Sequence, residues 1–350
     1  MLTYSVKIIT FKHGQKRGFC IVVSANGKVK GIVVTANGDA DVLKLGQIEP
    51  GQPGPGQALV KVYAAGLNFI DIYQRVGRYP TPLPYTPGLE GAGVVAAIGP
   101  GVTEARVGDR VAYNGNLGAY AELALVKAQD LIALPDELSF EQGAAFPLQG
   151  MTAHYLLHEF RQVQPGEYVL VHAAAGGMGL LLCQWLKHKG AQVIGTTSSA
   201  AKAKLAQAAG CDHTINYNEQ DFVKEVQRIT SGKGCPIVID GVGKTTFPGS
   251  LEAVAKRGHV IIFGSASGPA DAIGPNDLQK KSVTVSGGSL FNYLDSREEL
   301  LQRAGGVLDG IKQGWLKLNI SAVMPLAKAA DAHRLLESRQ STGKIILSCE

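Results

Sequence analysis

The chain has 350 residues, of which 45% are hydrophobic and 18% charged. This composition is typical of a globular protein, and no apolar run reaches the roughly 18 residues that a membrane-spanning helix needs. The formal net charge is +5, but 6 of the 34 Lys and Arg residues lie in the acid-free stretch 1–38. The rest of the chain has 28 Lys and Arg residues and 29 Asp and Glu residues. Its net charge is therefore close to zero, which argues against nucleic-acid binding.

The basic beginning of the chain, residues 1–28, is interpreted as an N-terminal extension. It contains a single arginine, Arg17, and is interrupted by glycines, which does not fit a transit peptide. The cysteines are five in number and scattered, without the spacing of a zinc motif or of a disulfide framework. Cysteine usage of this kind predicts a reducing, cytoplasmic setting.

The first half of the chain is predicted to be rich in β-strands. Apolar runs separated by Pro- and Gly-containing turns predict strands at Val29–Thr35, Ala58–Ala64, Gly91–Ile98 and Asp109–Tyr113. Between the second and third of these runs, Asn68–Tyr73 reads as a loop that enters a short helix. Its polar residues are clustered among apolar ones. This pattern favours either a binding site or a helix start in which Asn68 or Asp71 caps backbone amides.

A buried strand that passes through a glycine turn into a helix is predicted at residues 168–179. Val169–Val171 is continuously apolar, as in parallel strands covered on both faces. Ala174, Gly176 and Gly179 reproduce the G-x-G-x-x-G spacing with alanine first. A helix from Gly177 to His188 would direct its first amides at a pyrophosphate. The pattern predicts a dinucleotide site, although a tight turn without a ligand has the same glycines.

The next predicted strand, Gln192–Thr196, ends where NAD-binding proteins keep an acidic residue for the ribose 2′-hydroxyl. Here hydroxyl residues and Lys202 follow, with no acid. This pattern favours a 2′-phosphate and therefore NADP, the alternative being that Lys202 is a solvated helix residue. Further strands near His213–Tyr217, Ile237–Asp240, Val260–Phe263 and Val283–Ser286, separated by helices that include Asp221–Thr230 and Thr246–Arg257, predict a doubly wound parallel α/β sheet.

Several ordered motifs together resemble the zinc-independent quinone oxidoreductase (ζ-crystallin-like) branch of the medium-chain dehydrogenase/reductases. The motifs are Asn68–Tyr73, Arg78–Pro80, Pro87–Gly93, Val107–Val111 and the turn Ala174–Gly179. The resemblance implies a Rossmann doubly wound sheet plus a GroES-like β-rich catalytic domain. It implies a catalytic domain of residues 29–150 and 291–350 and an NADPH-binding domain of residues 151–290.

The same resemblance accounts for the lack of metal ligands. Zinc alcohol dehydrogenases of this superfamily have a ligand cysteine where this chain has Asn68, and a ligand histidine where it has Leu89. Their four-cysteine structural loop is also missing. The resemblance therefore implies a protein without a metal site.

The resemblance also implies the contacts of NADPH. It assigns the nicotinamide half to Asn68, Phe69, Asp71, Tyr73, Thr152 and Tyr155, and the pyrophosphate to Gly176, Gly177, Met178 and Gly179. It assigns the 2′-phosphate to Ser198, Lys202 and Tyr217, and further contacts to Val242, Phe263, Ser265 and Arg339. For Thr152 and Tyr155 the alternative is helix packing, for Tyr217 a half-buried strand terminus, and for Arg339 surface charge.

A metal-free reduction would depend mainly on positioning, with the reacting atoms about 3 to 3.5 Å apart and water excluded. Asn68 and Tyr73 are the predicted catalytic residues, which would orient the acceptor or donate hydrogen bonds to its developing oxyanion. His172 is interpreted as a packed, hydrogen-bonded residue, and Glu90 as a structural hydrogen-bond partner.

Three functions remain open on the sequence. The first is an NADPH-dependent quinone reductase, and the second reduces the C=C bond of α,β-unsaturated carbonyls with NADPH. The third is a binding or structural protein that holds NADPH. The family also implies a homodimer, which would pair through the edge strand Val283–Ser286.

Overall fold

The computed structural model describes residues 7–13, 16–22 and 27–349, with side chains from residue 27 onward. The chain is divided into two compact units. The first consists of the chain up to Leu148 together with Ile320–Glu350, and the second is Gln149–Asn319. Within the predicted N-terminal extension, strands β1 (Lys7–His13) and β2 (Lys16–Val22) pair antiparallel. The rest of that extension before residue 27 lies outside the described residues.

The first unit is built mainly of strands. These are β3 (Val29–Val33), β4 (Lys44–Ile48), β5 (Gln57–Leu67), β6 (Glu90–Ile98), β7 (Arg110–Asn114), β8 (Leu123–Lys127) and β9 (Leu131–Ala133). The helices are α1 (Phe69–Arg75), α2 (Phe140–Gly143) and α3 (Pro147–His158), the last of which continues into the second unit.

The second unit alternates strands and helices. It contains β10 (Tyr168–Val171), α4 (Gly177–His188), β11 (Gln192–Thr197), α5 (Ala200–Ala208), β12 (His213–Asn216), α6 (Phe222–Ile229), β13 (Cys235–Asp240), α7 (Phe247–Ala253), β14 (Val254–Ile262), α8 (Pro275–Gln279), β15 (Thr284–Gly287) and α9 (Arg297–Lys312). The chain then returns to the first unit with β16 (Ile320–Pro325), α10 (Ala329–Glu337) and β17 (Lys344–Ser348).

The main sheet of the first unit has the strand order β16-β17-β5-β6-β7-β9, with β8 paired to β5. Its longest strand, β5, consists largely of Val, Ala, Leu and Tyr, residues that suit a pleated and covered surface. Val60, Val62, Tyr113, Ile345 and Leu347 lie in one buried core against this sheet. The predicted β-rich domain is confirmed.

The sheet of the second unit is parallel, with the order β12-β11-β10-β13-β14-β15. Strand order therefore reverses next to β10, which is the switch point of a doubly wound Rossmann sheet. Leu170, Ile194, Val238 and Val260 are fully buried at its centre. The predicted Rossmann fold is confirmed, and within the described residues no helix is long and apolar enough to cross a bilayer.

Two predicted boundaries differ from the structure. Residues 291–319 were assigned to the β-rich domain, but they lie in the second unit. Arg303 of α9 forms an ion pair with Glu159, and Trp315 packs edge-on against Trp185 of α4. The predicted helix Thr246–Arg257 ends at Ala253, because the following residues join the parallel sheet as the start of β14.

Candidate active site

The glycine turn of the second unit has no room for a side chain at Gly179. A Cβ atom on Gly179 would lie 2.3 Å from the carbonyl oxygen of Ala173 and 2.6 Å from Ala174 Cα. Gly176 is the N-cap of α4 and supplies no side-chain cap. The first backbone amides of α4, on Gly177, Met178 and Gly179, are therefore available at the positive end of a twelve-residue helix, which is the ordinary setting for a bound phosphate.

A buried hydrogen-bond network that the sequence did not reveal lies beneath this turn. His172 Nδ1 is 3.1 Å from Thr196 Oγ1, and His172 Nε2 is 3.0 Å from Ser250 Oγ. Ser250 in turn donates to Asp240 Oδ2 at 2.9 Å. Burial lowers the pKa of His172. The interpretation of His172 as a packed, hydrogen-bonded residue is confirmed, and the network joins the ends of β10, β11 and β13.

The loops after β13 and β14 are joined to each other at the same edge of the sheet. Asp240 Oδ1 accepts hydrogen bonds from the backbone amides of Val242 and Gly243 at 2.9 and 3.0 Å. The Phe263 amide donates to the Asp240 carbonyl, and Ser267 donates through Oγ to the Val242 carbonyl. The structure thus brings Val242 and Phe263 to one edge, with Ser265 in the loop that follows β14.

The predicted 2′-phosphate residues lie around the ends of β11 and β12. The Tyr217 amide donates to the Thr197 carbonyl, and Asn218 Nδ2 donates to the Ser198 carbonyl at 2.8 Å. Ser199 caps α5 by accepting from the Lys202 amide. Burial lowers the pKa of the Lys202 ammonium, and Tyr217 is 47% exposed. Ser198, Lys202 and Tyr217 therefore lie near one another. With about half of its surface exposed at the end of β12, Tyr217 also fits a half-buried strand terminus, and its contact with the 2′-phosphate stays a prediction.

Thr152 and Tyr155 lie on α3 and are both buried. The Tyr155 ring stacks on Tyr293 at a centroid distance of 4.6 Å and also packs near Phe160. Burial raises the pKa of Tyr155. Tyr155 thus has the packing role that the sequence left open, and its contact with the cofactor stays a prediction.

In the first unit, Asn68 is the N-cap of α1 and Asp71 holds it in place. The Asn68 amide donates to Asp71 Oδ2 at 2.8 Å, and Tyr120 Oη donates to the same oxygen at 3.0 Å. Asp71 is fully buried, and burial raises the pKa of its carboxyl group to about 7. Because Asp71 is turned inward, the structure gives it a role in fixing α1, and its predicted contact with the cofactor stays a prediction.

Asn68 has a side chain that is fully engaged within the first unit. Its Nδ2 donates to Glu90 Oε2 at 2.9 Å and to the Gly66 carbonyl at 3.2 Å, while its Oδ1 accepts from Lys344 Nζ at 2.7 Å. Lys344 Nζ also lies 2.5 Å from Glu90 Oε2. Glu90 and Lys344 are 0% and 2% exposed. Lys344 was missed, since nothing in the pattern near the end of the chain marks a buried lysine.

Tyr73, the second predicted catalytic residue, lies on α1 among other rings. Its ring centroid is 6.2 Å from that of Phe69 and 5.4 Å from that of Tyr79. The Arg78 guanidinium lies over the Tyr73 ring at 4.6 Å, a cation–π arrangement. The structure thus brings Asn68, Phe69, Asp71 and Tyr73 together, with Asn68 as the N-cap of α1 and the other three within it.

Arg339 follows α10 and has a left-handed φ of 58°. Its predicted contact with the cofactor stays a prediction.

The residues around Asn68 do not fit a zinc ion. A structural or catalytic zinc is held by thiolate, imidazole or carboxylate ligands. Asn68 offers an amide instead, and the Lys344 ammonium is hydrogen-bonded to both Asn68 and Glu90. In the described part of the chain, no cluster of three or more His, Cys, Asp or Glu side chains could hold a metal ion.

Two models of known protein families match the chain, one within each of the two units. The model of the alcohol dehydrogenase GroES-like domain matches residues 54–136, and that of the zinc-binding dehydrogenase domain matches residues 177–304. A chain that contains both a GroES-like domain and a Rossmann domain has the domain composition of a medium-chain dehydrogenase/reductase. Quinone oxidoreductase from Pseudomonas aeruginosa is 45% identical over 91% of this chain and 99% of its own length. The chain belongs to the quinone oxidoreductase family of these dehydrogenases.

Two further relatives bear on the chemistry. The solved structure of Escherichia coli quinone oxidoreductase complexed with NADPH is 39% identical, with a TM-score of 0.89 over 91% of this chain and 99% of that one. A 2-haloacrylate reductase from Burkholderia is 41% identical over 91% of this chain and 98% of its own length. The family is therefore one of oxidoreductases, and its members differ in the acceptor that their names give.

Proposed function

We propose that this protein is an NADPH-dependent quinone reductase. The observation that carries the proposal is the glycine turn at Gly176–Gly179, together with the segment after β11, where Ser198 and then Lys202 of α5 follow without an acid. Its membership in the quinone oxidoreductase family supports a quinone as the acceptor. The balanced reaction converts a quinone, NADPH and one proton into a hydroquinone and NADP⁺.

The residues present fit NADPH. Amides of Gly177, Met178 and Gly179 would hold the pyrophosphate, with Val242, Phe263 and Ser265 beside it, and Ser198, Lys202 and Tyr217 would hold the 2′-phosphate. Phe69, Tyr73, Thr152, Tyr155 and Arg339 are proposed to contact the remainder. When bound, the cofactor supplies a hydride from C4 of its nicotinamide.

The chain contributes orientation and exclusion of water. Asn68, held by Glu90 and Lys344, fixes the start of α1 and therefore the position of Tyr73. We propose that Tyr73 orients the acceptor. No metal takes part in this proposal, because the Asn68 amide is not a zinc ligand and the carboxylate beside it, that of Glu90, is paired with the Lys344 ammonium. Activity that needs added zinc after treatment with a chelator would contradict this part.

The reductase function is tested by following NADPH and NADH oxidation against a panel of quinones and enones. We expect quinone turnover with a clear preference for NADPH. In Lys202→Ala, kcat/KM with NADPH should fall at least tenfold while kcat/KM with NADH changes little, because only NADPH carries the 2′-phosphate. The control is Lys204→Ala, an exposed lysine two residues further along the same helix. Equal losses with both cofactors would contradict the assignment of Lys202.

A second candidate function is reduction of the C=C bond of an α,β-unsaturated carbonyl. It is favoured by the 2-haloacrylate reductase that matches nearly the whole chain. Product analysis separates the two: an enone reduced at carbon, while quinones are ignored, would replace the leading proposal. Tight NADPH binding without turnover of any quinone, enone or aldehyde would instead support a binding or structural protein.

We further propose that the protein is a homodimer in the cytoplasm. β15 is the last strand of the parallel sheet, so among the described residues one of its edges has no partner strand. The four described cysteines are free and buried, which agrees with a reducing compartment. A mass near that of one 36.8 kDa chain in light scattering would contradict the dimer. A cell-fractionation experiment that recovers the protein elsewhere would contradict the location.

A further inference from the structure

One edge of the main sheet of the first unit carries polar residues on four adjacent strands. Lys344 begins β17, Asn68 follows β5, Glu90 begins β6 and Asn114 ends β7. These strands are neighbours in the order β17-β5-β6-β7. The four residues, which we call the polar row, therefore cross the sheet side by side. Three of them satisfy each other through the hydrogen bonds of Asn68, Glu90 and Lys344.

Asn114 is the exception in the polar row. It is 2% exposed, and both Oδ1 and Nδ2 of its side chain lack a hydrogen-bond partner. Asn114 is the direct cross-strand partner of Glu90. Side chains of such partners lie on the same face with Cβ atoms about 5 Å apart. The Asn114 amide thus lies next to the Glu90–Lys344 ion pair without bonding to it.

An unsatisfied buried amide is costly and rare. Each such donor or acceptor costs about 1–3 kcal/mol, and few occur in a native structure. The backbone around Asn114 is held in place, since Asn116 Nδ2 donates to the Asn114 carbonyl and the Gly115 amide donates to the Leu89 carbonyl. The backbone that carries the unused amide is therefore fixed at this sheet edge, and a bound molecule that pairs with the amide would remove the cost.

We propose that Asn114 recognises the carbonyl oxygen of the acceptor. This inference rests on the proposed function and names the residue that binds the substrate. Nδ2 donates to the oxygen that gains negative charge during reduction, and Oδ1 can accept from the hydroxyl group of the product. A preorganised donor in a water-excluded site stabilises such an oxygen strongly. Asn68 has no spare donor for this role, because both N–H groups of its amide are engaged.

The proposal is tested with Asn114→Leu, which replaces the amide by an apolar group of similar size. No hydrogen bond is lost, so we expect a midpoint of urea unfolding equal to or above that of the wild type. We expect kcat/KM for duroquinone to fall at least tenfold, with the Kd of NADPH unchanged. Asn114→Thr, which restores a hydroxyl donor, should recover part of the loss.

The matched control is Tyr113→Phe. Tyr113 precedes Asn114 on the same strand, faces the core on the other side of the sheet, and also has a buried hydroxyl without a partner. It should keep both stability and activity. Unchanged kcat/KM in Asn114→Leu, or a loss of stability there and not in Tyr113→Phe, would overturn the inference. If the wild type reduces no quinone, the proposed function fails instead. Duroquinone binding, measured by tryptophan fluorescence, then decides: weaker binding by Asn114→Leu supports the inference and equal affinity overturns it.

Discussion

Asp71 is the residue whose role the structure changes most. A directed chain of hydrogen bonds leads to it: Arg75 donates to His333 Nδ1, which leaves His333 Nε2–H for Tyr120, and Tyr120 donates to Asp71. Burial, aided by the charge of Arg75, lowers the pKa of His333 to about 3, so the ring is neutral. Asp71 Oδ1 has no hydrogen-bond partner, and burial raises the pKa of this carboxyl group to about 7.

We predict that Asp71 makes stability depend on pH. The pKa of its carboxyl group is about 7 in the folded chain against 3.8 as the ordinary value, so between these pH values the folded state binds more protons. The free energy of unfolding contributed by Asp71 is therefore highest below pH 4 and falls as pH rises to 7, by a few kcal/mol. Urea unfolding should show this fall in the wild type relative to Asp71→Asn. A difference that is constant from pH 4 to 8 would contradict it.

The Lys344–Glu90 ion pair provides a second prediction at the residue scale. Lys344→Met leaves a buried carboxylate without its partner, so the free energy of unfolding should fall by about 3–5 kcal/mol. Lys187→Met is the matched control, because Lys187 pairs with Asp212 at 2.6 Å but is half exposed. Its loss should cost less than about 1 kcal/mol. Equal losses in the two variants, measured by urea unfolding at pH 7, would show that burial does not control the strength of the pair.

At the scale of elements, the turn between β10 and α4 combines a steric requirement with a binding site. Gly179 approaches the backbone of Ala173 so closely that the helix can lie against the strand only without a Cβ. The same close packing directs the first amides of α4 outward from the sheet edge. Sequence spacing alone could not distinguish this site from an ordinary tight turn, since both need small residues.

Gly179→Ala should therefore weaken NADPH binding and lower stability together. The added Cβ would displace either the turn or α4, and we expect at least a tenfold rise in the Kd of NADPH with a lower melting temperature. Gly305→Ala in α9 is the control, because a Cβ there meets nothing within 4 Å. That variant should gain about 0.4–1 kcal/mol and keep its affinity. An unchanged Kd in Gly179→Ala would show that the turn does not bind the cofactor.

At the scale of the whole molecule, the chain leaves the first unit once and returns to it once. The second unit is the continuous segment Gln149–Asn319, and most of the proposed NADPH contacts lie in it. A ligand that binds only the folded state stabilises it by about 2.7 kcal/mol at a concentration of 100 Kd. Binding should therefore protect the second unit in particular.

Hydrogen exchange with and without saturating NADPH checks this expectation. Amides of β10, α4, the loop after β11 and the loops after β13 and β14 should become protected. Amides of β3 and β4, which pair with each other in the first unit, should change least. Protection confined to the first unit, or absent from α4, would contradict the proposed cofactor site.

The sequence by itself determined the fold class, the order of the two kinds of sheet and the cofactor class. Repeating apolar runs, glycine spacing and a missing acid each involve residues that are close together in the chain, so they can be recognised from the sequence alone. It also placed the helix Gly177–His188 with its observed bounds. It could not place α9, whose unit depends on Arg303 and Trp315 meeting partners more than a hundred residues away.

Only the tertiary structure decided what surrounds Asn68. Lys344 lies 276 residues further along the chain, and the sheet order alone brings it against Asn68 and Glu90. The same sheet edge shows that the Asn68 amide is already engaged and that the Asn114 amide is not. A polar residue's partners depend on strands that are distant in sequence, so its identity predicts the chemistry available at a site but not which group is left to bind a substrate.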